Sequence, residues 1–361
     1  MHLTLIISSL NSGGAQCVLS NLANHWCSQG HQISLITLDP PEFQPFYFLD
    51  SRISIIHLNK NGSGVSSMKR LKAIVDRFFA LRKKIQGLMP NVIISFVDIM
   101  NVTTLISTLG LKIPIIVAER THPKYYKLPI LYQRLRLLFY PKAARVIVQT
   151  ESAGHYFKNL KNIYVIPNAV PQPNILKKNT TSFPSHIISI GRLCPFKGFK
   201  TLIQAFSNLS QHYPKLTLTI YGEGQERENL ENLIVSLNLR DKVYLPGAIK
   251  NVQEALIKAD LFIFPSHYEG FPNALCEAMA VGLPVIASNC SGNIDIIREG
   301  VDGRLFPIGD IESLTKIALE LLKDAEQRRY LSENALKIRN RFNPKHVFDL
   351  WDEIIDKATK N

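Results

Sequence analysis

Short apolar runs alternate with longer stretches whose apolar positions recur every three or four residues, from the start of the chain to its end. In the first half the runs predict strands at His2 to Ser9, Ile33 to Leu38, Ile53 to His57, Val92 to Phe96, Ile115 to Ala118, Val146 to Gln149 and Tyr164 to Ile166. In the second they predict strands at Ile187 to Ile190, Leu216 to Tyr221, Val243 to Leu245, Leu261 to Phe264, Pro284 to Ala287 and Arg304 to Phe306. Strands separated by amphipathic helices specify parallel sheets with right-handed crossovers. The polar stretch from Pro167 to Pro184, with Pro171 and Pro173 among Asn, Lys and Thr, divides the two series. The prediction is an α/β protein of two Rossmann-like, doubly wound domains facing each other across a cleft. Their limits are residues 1–168, a linker at 169–184, residues 185–343, and a last helix at 344–361 with Phe348 and Trp351 at helical spacing.

A length of 361 residues exceeds what one core usually holds, and 46% hydrophobic content suffices for two. No run reaches 18 apolar residues, so no membrane-spanning helix is expected. Leu3 to Leu10 lacks a basic leader and runs into Asn11-Ser12-Gly13-Gly14, which fits a buried first strand better than a signal peptide and points to the cytoplasm. Five cysteines with no CxxC pair argue against a disulfide framework and a structural zinc site.

The densest chemistry lies in Pro265 to Ser288, PSHYEGFPNALCEAMAVGLPVIAS. A buried strand ends at Pro265, a polar loop carries Glu269 and Gly270, Pro272 suits a first helical position, and a helix runs from Asn273 to Val281 with Gly282 as its cap. The free N–H groups at Phe271, Asn273 and Ala274 would face the carboxyl edge of the sheet, where an anionic or hydroxyl-rich ligand is favoured. Glu269 on the loop and Glu277 about one turn into the helix can point into one crevice. A pair of glutamates alone would more often just solubilise a helix; Gly270, Pro272 and Gly282 shift the balance toward a site.

Gly191-Arg192-Leu193-Cys194-Pro195-Phe196-Lys197-Gly198 follows the strand Ile187 to Ile190 at the place where an open α/β sheet binds ligands. Arg192 can fork onto phosphate oxygens while Lys197 supplies a point charge. Gly13 and Gly14 follow the opening strand and would let N–H groups approach a phosphate closely. Glycines in such turns also serve geometry alone, and Gly222 and Gly224 in YGEG are equally open to that reading.

The segment around Glu269 and Glu277 resembles the signature of the GT-B glycosyltransferases of family 4, which transfer sugars from nucleotide diphosphate donors with retention. The resemblance implies that Glu269 contacts hydroxyls of the donor sugar, that the amides from Phe271 to Ala274 contact its far edge or phosphate, and that Glu277 holds the ribose. It assigns Arg192 and Lys197 to the diphosphate, Pro246, Gly247 and Ala248 to the nucleobase, and Gly13 and Gly14 to the donor phosphate. His122, in Glu119-Arg120-Thr121-His122-Pro123 after the strand Ile115 to Ala118, matches a histidine near the sugar; Glu119, Arg120 and Asp98 become acceptor-side candidates. Gln16 stands where many relatives carry an acidic residue and receives no role. The implied donor is UDP-linked, with no other cofactor and no metal, since Arg192 and Lys197 would neutralise the leaving group. The implied acceptor is a glycan, polyprenyl-linked, in cell-surface polysaccharide or oligosaccharide assembly. An epimerase, a glycogen-phosphorylase-like enzyme or a non-catalytic sugar binder could share the architecture.

Charge is uneven. Residues 1–170 hold 19 Lys and Arg against 7 Asp and Glu, a balance of +12, whereas residues 171–361 hold 23 against 22. Met68 to Pro90 interleaves Lys69, Arg70, Lys72, Arg77, Arg82, Lys83 and Lys84 with Phe78 and Phe79, and Lys124 to Arg145 is a second basic, aromatic tract. Such mixtures predict contact with an anionic membrane surface, placing the protein peripherally on the inner face of the cytoplasmic membrane. The alternative for each stripe is a helix packed on the sheet with a solvated basic side. Nucleic acid is not expected, because no zinc finger, RNA-recognition motif or helix-turn-helix pattern accompanies the charge.

Overall fold

The computed structural model describes residues 1–60, 67–173, 176 and 184–360, the backbone alone over 67–71. It divides into two compact units, Met1–Asn168 with Lys345–Asn361, and Ala169–Pro344. Much of the expected linker lies outside the described residues, but Val170 is buried in the second unit, where its N–H donates to the Phe342 carbonyl.

In the first unit the elements are β1 (His2–Ile6), α1 (Gly14–Ser28), β2 (Gln32–Thr37), β3 (Ser54–His57), α2 (Ser67–Leu88), β4 (Val92–Phe96), α3 (Asp98–Ser107), β5 (Ile115–Ala118), α4 (Ile130–Phe139), β6 (Arg145–Val148), α5 (Glu151–Tyr156) and β7 (Ile163–Val165). The strands form one parallel sheet in the order β3-β2-β1-β4-β5-β6-β7. The central strands β1 and β4 are almost wholly buried runs of Leu, Ile and Val, as a sheet covered on both faces requires.

The second unit continues with β8 (His186–Ile190), α6 (Phe199–His212), β9 (Thr217–Tyr221), α7 (Arg227–Ser236), β10 (Val243–Gly247), α8 (Val252–Lys258), β11 (Leu261–Phe264), α9 (Asn273–Ala280), β12 (Val285–Ser288), α10 (Ser291–Ile294), β13 (Arg304–Phe306), α11 (Ile311–Lys323), α12 (Ala325–Ala335) and α13 (Ile338–Arg341). Its parallel sheet runs β10-β9-β8-β11-β12-β13. Each sheet reverses its strand order once, between β1 and β4 and between β8 and β11, and the loops leaving these strands line the crevice where such folds take ligands. Two cores cover the faces of the second sheet, one including Phe206, Leu218 and Leu321 and the other Phe262, Leu275 and Val285.

The final helix, α14 (Pro344–Thr359), belongs to the first unit. Val347, Trp351, Ile354, Ile355 and Ala358 form its buried stripe. Trp351 packs on Trp26 and Phe96, and Asp352 accepts from the indole N–H of Trp26 at 2.7 Å. Among the described residues no helix is long and apolar enough to cross a membrane.

Candidate active site

At the switch point of the second sheet, two loops are locked together before any ligand arrives. The loop after β8 makes a short 3-10 turn at Pro195–Lys197 and enters α6 through Gly198, whose φ of 68° and lack of space suit glycine alone: a Cβ there would overlap the carbonyl oxygen of Pro265, on the loop after β11. The N–H of His267 donates to the Phe196 carbonyl at 2.7 Å, and the rings of Phe196 and Tyr268 stack at 4.8 Å. Gly222 closes a third loop onto the first, since a Cβ there would overlap the Gly191 carbonyl oxygen.

This lock sets a charged pair 72 residues apart in sequence. The Lys197 ammonium donates to Glu269 Oε1 at 2.5 Å, over the face of the Phe264 ring at 4.8 Å. Both side chains are mostly buried. The pair does not exhaust them: an ammonium has three donors and a carboxylate about four acceptor sites, so each keeps capacity for a ligand. Glu269 is held from behind by Gly292, where a Cβ would meet its own Cβ at 2.6 Å. Below, Asn293 donates to the Ser288 carbonyl at 2.9 Å, and the Ser288 hydroxyl donates to the Ser266 carbonyl.

Arg192 projects into solvent with no side-chain hydrogen bond or ion pair among the described residues, and so stands ready for an anion. Glu277, on α9, is half-buried and likewise has no partner among the described residues. Desolvation alone pushes its carboxyl up to about 7. Asn273, not Pro272, is the first residue of α9: Pro272 precedes the helix with φ −83° and ψ 76°, because its carbonyl already accepts from Cys276 N–H at 3.0 Å while its own backbone stays outside the helical region. The N–H groups of Ala274 and Leu275 donate to no described group, whereas that of Asn273 is turned back to the Phe271 carbonyl at 3.0 Å. Phe271 is buried against Phe342 and contributes packing at this edge. Pro246 and Gly247 end β10 at a register shift, with the Gly247 carbonyl accepting from Gly222 N–H at 2.9 Å.

The structure therefore places Arg192, Lys197, Glu269, Phe271, Asn273, Ala274, Glu277, Pro246 and Gly247 in the second unit: the first four on the loops after β8 and β11, Asn273, Ala274 and Glu277 on α9, and Pro246 and Gly247 at the end of β10. Gly13, Gly14 and His122 belong to the first unit. Gly13 precedes α1 and its N–H donates to the Tyr47 hydroxyl at 3.3 Å; Gly14 is exposed at the helix start. His122 is buried, its ring tilted against Tyr125 at 4.9 Å and its Nδ1 accepting from Lys124 N–H at 3.4 Å.

Sequence reasoning missed how the first unit uses its charges. Glu119 is fully buried, accepts from the Tyr140 hydroxyl at 2.5 Å and lies 3.7 Å from the guanidinium of Arg136, itself buried and donating to Gln133 at 2.7 Å. Desolvation, reinforced by the charge of Asp98, pushes the Glu119 carboxyl up to about 7 against the opposing pull of Arg136 and Tyr140. Asp98 is raised for the same first reason. Arg120 is lowered to about 9 by burial, lies over Phe96 and donates to Asn168 at 2.9 Å. Arg136 reads in sequence as one more residue of a basic tract; the only signal of its burial is that its neighbours Ile130, Leu131, Leu137 and Leu138 supply an apolar face on the other side of the helix.

Comparison with known proteins gives this geometry a family. The family described as Glycosyltransferase Family 4 matches residues 12–172, and Glycosyl transferases group 1 matches residues 172–338. Over 98% of both chains the protein is 29% identical to a Campylobacter jejuni enzyme named GalNAc-alpha-(1->4)-GalNAc-alpha-(1->3)-diNAcBac-PP-undecaprenol alpha-1,4-N-acetyl-D-galactosaminyltransferase. It is 26% identical to the amylovoran biosynthesis glycosyltransferase AmsD of Erwinia amylovora, covering 98% of this chain and 99% of that one. The solved sucrose-phosphate synthase of Thermosynechococcus elongatus has the same fold, with a TM-score of 0.84 and 19% identity over 99% of this chain and 98% of that one. With a Rossmann-like sheet in each half and both family matches laid end to end along it, the chain belongs to the GT-B glycosyltransferases of family 4.

Proposed function

We propose that this glycosyltransferase moves a hexose or N-acetylhexosamine from a UDP-linked donor to a polyprenyl-linked glycan, with retention at the anomeric carbon and without a metal ion. The observation that carries the reading is the charge arrangement at the second sheet's switch point: Lys197 held by Glu269, with Arg192 and, on α9, Glu277 both unpaired among the described residues. A diphosphate leaving group needs fixed positive charge, which Arg192 and Lys197 offer. A sugar needs acceptors at defined positions, which Glu269 offers without moving. A ribose needs a carboxylate for its paired hydroxyls, which suits Glu277.

In this reading the acceptor hydroxyl oxygen bonds to the anomeric carbon on the face from which the diphosphate departs, the bond from that carbon to the β-phosphate oxygen breaks, and the hydroxyl proton passes to that oxygen. Charge builds on the leaving phosphate, so catalysis is mainly positional and electrostatic. The Ala274 and Leu275 N–H groups orient the sugar, and Pro246 with Gly247 presents backbone to the base. The share of Gly13, Gly14 and His122 is carried by the family resemblance alone, and a His122→Gln variant with normal turnover removes that residue from it. The acceptor class is supported by the name of the Campylobacter jejuni relative, whose substrate is an undecaprenol-diphosphate glycan.

The test is nucleotide release by the purified chain from a panel of UDP- and GDP-sugars, with and without undecaprenyl-pyrophosphoryl glycans. Acceptor-dependent UDP release with an α-linked product supports the reading. A sugar altered with donor alone points to an epimerase, and the absence of any turnover with donor binding intact points to a binding protein.

A further inference from the structure

Helix α4 is apolar on both sides, with Tyr132, Leu135 and Phe139 packed on the core of the first unit. Its inward side carries the buried guanidinium of Arg136, against Glu119 and the rings of Tyr156 and Phe157, while its outward side carries Ile130, Leu131, Leu137 and Leu138 at 76, 62, 59 and 59% exposure. At about 3.6 residues per turn these four aliphatic residues share one face, with the exposed Arg134 among them. A contiguous exposed apolar row marks a surface that meets something less polar than water.

The surrounding charge decides what. From Arg120 to Thr150 the chain has no Asp or Glu, and Lys124, Lys127, Arg134 and Lys142 are all exposed. A second copy docking through this face by two-fold symmetry would bring the same cations toward each other. An anionic bilayer surface satisfies both features, taking aliphatic side chains below its headgroups and lysines at its phosphates. Tyr125 and Tyr126, exposed beside Lys124, have the amphipathic rings that favour that boundary. Helix α2, by contrast, has already spent two of its cations: Arg77 donates to the Lys60 carbonyl at 3.0 Å, and Arg82 donates to the carbonyls of Ser107 and Leu109 at 2.9 and 2.8 Å, capping the end of α3. Lys69 and Arg70 lie outside the residues with described side chains.

We infer that residues 124–129 and helix α4 form the surface by which this protein docks on an anionic lipid bilayer, with Ile130, Leu131, Leu137 and Leu138 entering the headgroup boundary. The contact is interfacial, since α4 has 10 residues and cannot span. The inference rests on the proposed function only for its purpose, bringing the enzyme to a lipid-linked acceptor; the docking itself does not depend on the donor.

The experiment is sedimentation of the full chain with vesicles of phosphatidylglycerol and phosphatidylcholine in equal parts, and with phosphatidylcholine alone. The mixed vesicles should bind it, and replacing Ile130, Leu131, Leu137 and Leu138 together by Ser should weaken that binding by about 100-fold or more. Lys83→Ser with Lys84→Ser, on α2, should weaken it less. A Leu137→Trp variant, which keeps an apolar residue at the site, should shift its emission to the blue on the mixed vesicles, because Trp26 and Trp351 are already buried and add only a constant background. Equal sedimentation of wild type and the Ser variant, no blue shift, equal binding to phosphatidylcholine alone, or a dimer that the Ser variant abolishes would each overturn the inference. Sugar transfer to a short soluble acceptor should persist in the Ser variant. Vesicle binding by a wild type that transfers no sugar would leave the docking standing while the proposed function falls.

Discussion

The two units place charged residues at the carboxyl ends of strands in similar parallel sheets and use them in opposite ways. After β8 and β11, Arg192 and Glu277 have no side-chain partner among the described residues, and Lys197 and Glu269 keep spare hydrogen-bonding capacity at a partly open edge. After β4 and β5, Asp98, Glu119 and Arg120 are buried, and the neighbouring Arg136, on α4, is closed off completely. The same topology thus carries ligand-ready charge in one unit and structural charge in the other. A fully buried charge is costly unless the protein compensates it, and here the compensation runs through the Arg136–Glu119 ion pair at 3.7 Å while Glu119 Oε1, Arg120 Nε and Nη2 and Arg136 Nε and Nη1 stay buried without a hydrogen-bond partner among the described residues.

The largest test of this contrast is Arg136→Met. Removing the only described cation beside Glu119 leaves buried carboxylates uncompensated and should destabilise the first unit by about 3–5 kcal/mol, read from urea unfolding. Adding Glu119→Gln should restore part of the loss, because the two residues are coupled. Arg192→Met should leave the unfolding midpoint almost unchanged, as expected for an exposed side chain with no partner. Equal stability of the two single variants would erase the distinction between the units.

Activity should show the reverse order. Arg192→Ala should lower kcat by about 100-fold, near 2.7 kcal/mol, as expected for losing one donor to a developing anion. Its circular dichroism and melting should match the wild type. A kcat within about threefold of wild type would take Arg192 out of the transition state. Glu269→Gln should cost about 1.5–3 kcal/mol in kcat/KM, the worth of a hydrogen bond to a charged group. Because Gln keeps the shape and can still accept from Lys197, a loss confined to stability would assign Glu269 to holding Lys197 and not to the sugar.

How far the sequence reveals this contrast depends on the distance over which each feature is encoded. Strands such as Leu261–Phe264 are legible because a run of large apolar residues bounded by polar loops has few other solutions. The stripe of α14 is legible for the same reason, through Val347, Trp351 and Ile354. The candidate site is legible as residue types after strand ends, because open α/β sheets bind ligands there. The Lys197–Glu269 pair is not, since it depends on the crossover that sets β11 beside β8. Nor is the burial of Arg136, because periodicity alone assigns an arginine opposite an aliphatic helix face to the solvent side. What reverses that assignment is Glu119, reached from a different strand. Arg82 misleads in the same way: its partners are carbonyls at the end of α3, which no charge count can show.

The smallest effect concerns Glu277 and tests whether a carboxyl with no partner among the described residues of the second unit is there for a ligand. Burial raises its pKa to about 7 from an ordinary value of about 4.3. In the free protein the unfolded chain therefore releases this proton first as pH rises, so the stability contributed by the neutral carboxyl is present below about pH 4.3 and is lost as pH rises through about 7. Ligand binding has the opposite sign if the ionised form accepts from ribose hydroxyls, because the accepting form fills only above that pKa. Affinity for a UDP-sugar, whose diphosphate does not titrate in this window, should weaken by up to about 10-fold from pH 8 to pH 6, near 1.4 kcal/mol. In Glu277→Gln the affinity should be weaker at pH 8 and flat across the range. Calorimetry at both pH values separates the cases: a wild-type profile as flat as the variant's would leave Glu277 a solvating residue of α9 and return the second unit's claim on the ribose to its backbone.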